Sequence, residues 1–355
     1  MTDVAPLRVA LIGYGSAGKT FHAPLIRSTP GLELAVVATR RAEEVARDLS
    51  AAVPVSAPLT AIARRDIDLV VIASPNDSHA PLADAALRAG KHVVVDKPFV
   101  LTLADARALA ALAAQTGHVL SVFQNRRWDS DFLALKAVLE AGRVGWVAHF
   151  ESRFDRFRPL VRDRWRERPE SGGGIWLDLG PHLVDQALQL FGLPTRVGGQ
   201  LAQLRDCALA DDWCQVQLDY VGMKVTLSAS VLVGGGMPRF AVHGTAGSWV
   251  KHGLDVQEDQ LKAGLLPGAP DWGTDPLPAR YYPGDGSDVC EPVPAGDYRQ
   301  YYSAVRDAIL GLGTNPVAPA QAVATMAVLE TVVQAAGSGQ MLPLPLTDAE
   351  RAAFA

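Results

Sequence analysis

Four short stretches of this sequence hold side chains that could do chemistry. The first is Gly13-Tyr-Gly15-Ser16-Ala-Gly18. A GxGxxG turn suits a pyrophosphate: Gly13 for the tight turn, Gly15 for close approach of the backbone to the phosphates, Gly18 for packing of helix on strand. Amides at the helix start, with Ser16 among them, then point at the anion. The second and third are Ser74-Pro-Asn76-Asp-Ser-His79 and Asp96-Lys97-Pro98, each placed after an apolar run. Ligands of parallel sheets bind outside the carboxyl ends of strands, where both would lie. Only 7 of the 33 basic residues are lysine, and Lys97 is braced by an acid and a proline. It reads as a positioned ammonium or, equally, as a surface lysine paired with Asp96. The fourth runs from Gly172 to Asp185 and contains Asp178 and His182, four apart and so on one helical face. Asp185 follows three beyond His182. A histidine beside a carboxylate can move protons near neutral pH. The alternatives are a capping aspartate on an amphipathic helix, or a metal pair. A metal would need a third ligand, and with no HxxxH and no cysteine nearby none is expected.

The glycine loop also satisfies a second pattern. Gly13-x4-Gly18-Lys19-Thr20 fits the phosphate loop of nucleoside triphosphatases, and Val93–Asp96 imitates the apolar strand that ends in a magnesium-binding aspartate. A dinucleotide is the preferred ligand, with a triphosphate or a bare glycine turn as alternatives. The second strand discriminates between dinucleotides. About twenty residues after Gly13 stands Glu33, where an acid would hold the ribose hydroxyls of NAD, but it begins the strand rather than ending it. The carboxyl end reads Ala38-Thr39-Arg40-Arg41. With two guanidiniums and no acid, a 2′-phosphate is the better guest, so NADP is expected over NAD. Otherwise the arginines merely open the next helix in solvent.

Alternating elements must position these residues. Leu7–Ile12, Leu32–Ala38, Asp68–Ala73, His92–Val95 and Val119–Phe123 read as buried strands. Between them Arg41–Leu49, Pro81–Ala89 and Leu103–Thr116 read as helices, the last two stopped by Gly90 and Gly117. That alternation predicts an α/β domain over residues 1–123, a parallel sheet with helices on both faces. From 124 to 355 the rhythm changes: a helix over Asp131–Ala141, then strands at Trp146–Phe154, Val197–Gln203, Cys214–Tyr220, Lys224–Leu232 and Arg239–His243. This predicts an α+β domain with a mixed or mostly antiparallel sheet. Residues 262–295 read as a long irregular excursion, and Tyr298–Leu310 and Ala320–Ala336 as closing helices.

Composition bounds the class. A chain of 355 residues, 48% hydrophobic and 20% charged, is globular and long enough for about two domains. A net charge of −5 gives no basic footprint for nucleic acid or for an anionic membrane. The segment Arg153–Arg168 carries seven arginines, but acids interleave with them, which fits a charged rim near an active site better than a nucleic-acid surface. Three irregularly spaced cysteines (Cys207, Cys214, Cys290) form neither a disulfide framework nor a zinc site. No signal peptide and no membrane-spanning run is read, so a soluble cytoplasmic protein is expected.

GYGxxGxxFHAPLI, SPNDSH, DKP and DLGPHLVDQ in that order, with VVVDKPF, NRRWDSDF, FDRFRP and RDRWRE, resemble the Gfo/Idh/MocA oxidoreductases. The similarity is greatest to the branch of NADP-dependent scyllo-inositol dehydrogenases, and it runs over essentially the whole chain. It implies a Rossmann domain followed by an open-sheet domain whose exposed face joins copies into dimers or tetramers. It implies that Lys97 is the catalytic lysine and that Asp178 and His182 are the D-x-x-x-H pair. Asp96 departs from the commoner glutamate, with little change of role expected. The implied chemistry converts a secondary hydroxyl of a polyol, inositol or sugar to a ketone, with His182 as general acid/base. Ser74, Asn76, His79 and Lys97 join Gly13, Gly15, Ser16, Gly18, Thr39 and Arg40 as implied cofactor contacts. Phe21, His22, Asn125, Arg126, Trp128 and Trp176 are candidates for the substrate pocket. A non-catalytic dinucleotide sensor is the remaining alternative.

Overall fold

The computed structural model describes residues 5–49, 57–163, 167–168 and 172–354. The chain divides into two compact units. One is built from the first 125 residues with Gln257–Trp272 and Asp297–Val323; the other from Arg126–Val256, Gly273–Gly296 and the chain from Ala324 onward.

The first unit opens with strand β1 (Leu7–Ile12), a π-helical turn (Gly18–His22) that runs into α1 (Ala23–Arg27), and β2 (Leu32–Ala38). Then come α2 (Ala42–Leu49), α3 (Pro58–Ile62), β3 (Leu69–Ile72), α4 (His79–Arg88), β4 (His92–Val95), α5 (Leu103–Thr116) and β5 (Leu120–Val122). The five strands form one parallel sheet in the order β2-β1-β3-β4-β5. Their apolar runs are continuous because both faces are covered: Val9–Leu11, β3 and Val93–Val95 expose nothing. Helix limits follow local chemistry. Thr102 caps α5, its hydroxyl accepting from the Asp105 amide, and Gly117 ends it in the left-handed region at φ 69°. The amides of Gly13, Ala73 and Asp96 donate to Ala38, Ile12 and Ile72, so the three strand ends that carry Gly13, Ser74 and Lys97 finish level on one edge.

The second unit begins with α6 (Ser130–Glu140), β6 (Val147–Asp155), α7 (Ile175–Phe191) and β7 (Arg196–Ala202). Strands β8 (Trp213–Tyr220), β9 (Met223–Ser230), β10 (Phe240–Gly244) and β11 (Gly247–Lys251) follow. Helix α8 (Gln257–Lys262) belongs to the first unit. The excursion at 262–295 is only partly irregular. It contains β12 (Ala279–Tyr282) and β13 (Val289–Glu291), which extend the sheet to eight strands in the order β13-β12-β11-β10-β6-β9-β8-β7. Only β6 and β9 run parallel; every other neighbouring pair is antiparallel. Alternation divides its faces: Phe150, Phe154, Val216, Leu218, Val225 and Leu227 are buried, whereas Gln200, Gln215, Gln217 and Lys224 are exposed.

Helix α9 (Arg299–Ile309) returns to the first unit. There the Tyr301 hydroxyl meets Ser121 Oγ at 3.0 Å, and Asn315 Nδ2 donates to the Leu120 carbonyl, both on edge strand β5. Helices α10 (Pro319–Ser338) and α11 (Asp348–Phe354) close the chain. Among the described residues no helix is long and apolar enough to cross a membrane.

Candidate active site

In the first unit the glycine loop links β1 to the π-helical turn. Gly13 has φ 99°, and a Cβ there would come within 2.5 Å of the Ala73 carbonyl oxygen. A Cβ on Gly18 would lie 2.1 Å from the Gly13 carbonyl oxygen. Both contacts are with backbone, which cannot swing aside. Gly15 is different: a Cβ there would meet nothing within 4 Å. The Lys19 amide donates to the Gly15 carbonyl, so helical bonding begins there, and the preceding amides lack an intrahelical acceptor. An open Gly15 beside such amides, with exposed Ser16, is a cradle that fits a pyrophosphate.

The triphosphate alternative gains nothing. The Lys19 ammonium pairs with Asp48 on α2 at 2.7 Å. That ammonium, with Arg47 beside it, holds the Asp48 carboxyl below the usual range against the opposing effect of burial. Asp96, the supposed magnesium ligand, turns inward: its Oδ1 accepts the Lys97 amide at 2.8 Å and stands 3.8 Å from His22 Nε2.

At the end of β2, the Thr39 hydroxyl accepts from the Arg41 amide and starts the following turn. Arg41 lies 3.5 Å from Glu44. Arg40 is exposed and forms no ion pair among the described residues. After β3, Ser74 Oγ and Ser78 Oγ lie 2.6 Å apart, and Asn76 is buried. His79 is a strut: Nδ1 faces the Pro98 carbonyl at 2.9 Å and Nε2 the Ser74 carbonyl at 3.0 Å. With both nitrogens turned to backbone, it shapes the loop rather than offering a hydrogen bond to a ligand. Lys97 is half-buried at the end of β4.

In the second unit Asp178 and His182 lie on one face of α7, His182 buried and Asp178 half-buried. The Phe154 ring sits 6.3 Å from the His182 ring. The glycine run before the helix has a steric reason. Gly174 has φ 110°, and a Cβ there would strike the Asp211 carboxylate at 2.2 Å. That carboxylate accepts the Trp176 amide at 2.7 Å, and the Asp211 carbonyl accepts the Ile175 amide, so Asp211 caps α7 from a distance. Burial pushes the Asp211 carboxyl up, only partly opposed by these amides. Asp178 also borders a small cavity with Arg156, Arg158 and Arg205.

Other residues on α7 are structural. Asp185 accepts a two-pronged bond from Arg127 (2.9 and 2.6 Å), both groups buried. Gln186 joins Arg239 to the Arg126 carbonyl. Removing one side of a buried ion pair strands the other charge. Asp185→Ala is therefore expected to lose about 3–5 kcal/mol of unfolding free energy, read by urea denaturation.

Two pocket candidates prove to be core. Trp176 is 1% exposed and donates from Nε1 to the Leu329 carbonyl, and Gly180 leaves room for its ring, since a Cβ there would lie 2.7 Å away. His22 is fully buried and bonded to Tyr302. Asn125 and Arg126 are also buried, in a 3-10 turn with Trp128; Phe21 is half-buried. In the arginine-rich segment Arg153 pairs with Glu151 and Arg168 with Asp163, while the segment's Glu167 is taken by Arg205 from outside it, which also pairs with Asp212. Arg164, Trp165 and Arg166 lie outside the described residues. Sequence reading missed Asp211 and Tyr302, which no local motif marks, and the pairing of Arg127 with Asp185, whose two motifs stand 58 residues apart.

Comparison with known proteins agrees with this arrangement. Residues 7–124 match the family model for the oxidoreductase-family, NAD-binding Rossmann fold, and residues 132–250 that for the GFO/IDH/MocA C-terminal domain. The oxidoreductase YdgJ of Escherichia coli K12 is 51% identical, covering 93% of this chain and 96% of its own. The scyllo-inositol 2-dehydrogenase (NADP(+)) IolW of Bacillus subtilis is 33% identical, covering 93% of this chain and 94% of its own. A solved oxidoreductase from Klebsiella pneumoniae superposes with a TM-score of 0.93 at 54% identity, covering 99% of this chain and 98% of that one.

Proposed function

Because the chain belongs to the Gfo/Idh/MocA oxidoreductase family, we propose that it oxidises a secondary hydroxyl of a polyol, inositol or sugar to a ketone, or runs the reverse reduction, with NADP preferred over NAD. What carries this reading is the Asp178–His182 pair on one face of a helix capped and anchored along its length. The 33% likeness to a protein named as an NADP-linked scyllo-inositol dehydrogenase supports the substrate class.

Each residue has a proposed task. The amides after Gly15, with Ser16, hold the pyrophosphate. Thr39 and Arg40 meet the 2′-phosphate, and Ser74 and Asn76 line the neighbouring strand end. When bound, the nicotinamide supplies hydride transfer. His182 takes the hydroxyl proton as general base and returns it in the reduction. Lys97 stabilises negative charge on the substrate oxygen, and Asp178 orients the imidazole. The exposed face of the eight-stranded sheet is the proposed contact between copies of the chain.

The test is a panel of inositols, polyols and aldoses with NADP⁺, followed by NADPH absorbance. Turnover on at least one cyclic polyol or sugar is expected; none in either direction contradicts the reading. The cofactor assignment has its own variant. Arg40→Ala is expected to raise the Kd for NADPH about tenfold, the worth of one charge-assisted hydrogen bond, and to leave NADH within twofold.

A further inference from the structure

A buried polar chain in the first unit lies behind Lys97, and the tasks above do not use it. His22, the last residue of the π-helical turn, and Tyr302, on α9, both have no exposed surface. His22 Nδ1 lies 2.6 Å from the Tyr302 hydroxyl. Its Nε2 has no hydrogen-bond partner and faces Asp96 Oδ1 at 3.8 Å. That same oxygen accepts the backbone N–H of Lys97 at 2.8 Å. The Phe123 ring, 4.3 Å from the imidazole between centroids, fixes the ring laterally.

Which nitrogen carries the proton follows from these contacts, because the partner of one imidazole nitrogen sets the state of the other. Burial, with Tyr301 and Asp96 adding to it, holds the Tyr302 hydroxyl well above its ordinary value, so it keeps its proton. In a neutral ring Tyr302 donates to Nδ1 and Nε2 carries the hydrogen. In an imidazolium Nδ1 donates to the tyrosine oxygen and Nε2 again carries a hydrogen. The remaining tautomer would set an Nε2 lone pair against a carboxylate in a buried site. Burial pushes the Asp96 carboxyl up, but His22, Lys97 and His79 together outweigh it and hold it below the usual carboxylate range.

We propose that Tyr302 and His22 are positioning residues: together they aim Nε2–H at Asp96, and the Asp96 carboxylate in turn fixes the Lys97 segment at the end of β4. This rests on the proposed role of Lys97, so one arm of the test does not depend on turnover. In ¹⁵N-labelled protein, the His22 imidazole shifts are expected to show a protonated Nε2. An unprotonated Nε2 overturns the proposal whatever the enzyme does. Tyr302→Phe keeps the buried ring and removes only the hydroxyl. It is expected to lower kcat about tenfold or more by loosening the lysine segment, with NADPH affinity within twofold. His22→Phe is expected to do the same, since burial then acts on the Asp96 carboxyl without its His22 partner. The groups facing Asp96 are His22 on the π-helical turn, Lys97 beside it, His79 on α4 and Tyr302 on α9. A folded Tyr302→Phe protein with wild-type kcat overturns the proposal; it also decides the matter should His22→Phe not fold. A protonated Nε2 in an enzyme without turnover on any hydroxyl substrate would instead count against the proposed function.

Discussion

Replacing His182 by asparagine is expected to lower turnover by about 10²–10⁴-fold while NADPH binding stays within twofold. The residue sits on α7, which packs in the second unit across β6, β8 and β9, far in sequence from the glycine loop. A general base contributes to the barrier and not to holding the dinucleotide, so kcat and kcat/KM should fall together. Lys97→Met should produce a fall of similar size, since an uncharged side chain cannot stabilise the substrate oxygen. The double variant should be little slower than either single one, because groups that act as a unit are not additive. A loss of NADPH binding with intact chemistry in the bound fraction would remove both residues from their proposed tasks.

The second large effect separates two glycines three apart. Gly18→Ala would force a Cβ to within 2.1 Å of the Gly13 carbonyl oxygen, so the first helix must move off β1. About 3 kcal/mol of unfolding free energy should be lost, and dinucleotide binding with it. Gly15→Ala meets nothing within 4 Å and should leave the unfolding midpoint nearly unchanged. Yet its methyl group occupies the space through which a pyrophosphate approaches the amides, so NADPH affinity should drop at least about tenfold. Urea unfolding and fluorescence titration of the two variants give opposite patterns if the loop is a cradle. Equal affinities in Gly15→Ala and the parent would show that the phosphates bind elsewhere.

Much of this was legible in the sequence, for physical reasons. The parallel strands are largely apolar runs because both faces are covered, and glycines punctuate them. The three loop glycines follow from backbone contacts that permit no side chain, or from an approach that needs none, and such needs recur at fixed spacing. Strands β12 and β13 were not legible. They are four and three residues long and lie toward one edge of the sheet, too short for a period of two to show in the sequence. Residue type misled at Trp176 and His22: an aromatic and a histidine near chemical motifs suggest a pocket, but packing made both core. Asp211 and Tyr302 were invisible because they act across 35 and 280 residues of sequence, through contacts that only the fold creates.

The central claim, that this oxidoreductase works with a phosphorylated nicotinamide dinucleotide, is tested most directly by titrating the protein with NADPH, NADH and ATP and following fluorescence. The account predicts NADPH binding at least about tenfold tighter than NADH, the worth of the 2′-phosphate contacts at Thr39 and Arg40, and no ATP binding in the same range. Equal or preferred binding of NADH would mean that Arg40 points away from the cofactor, and binding of ATP alone would contradict the account at its root.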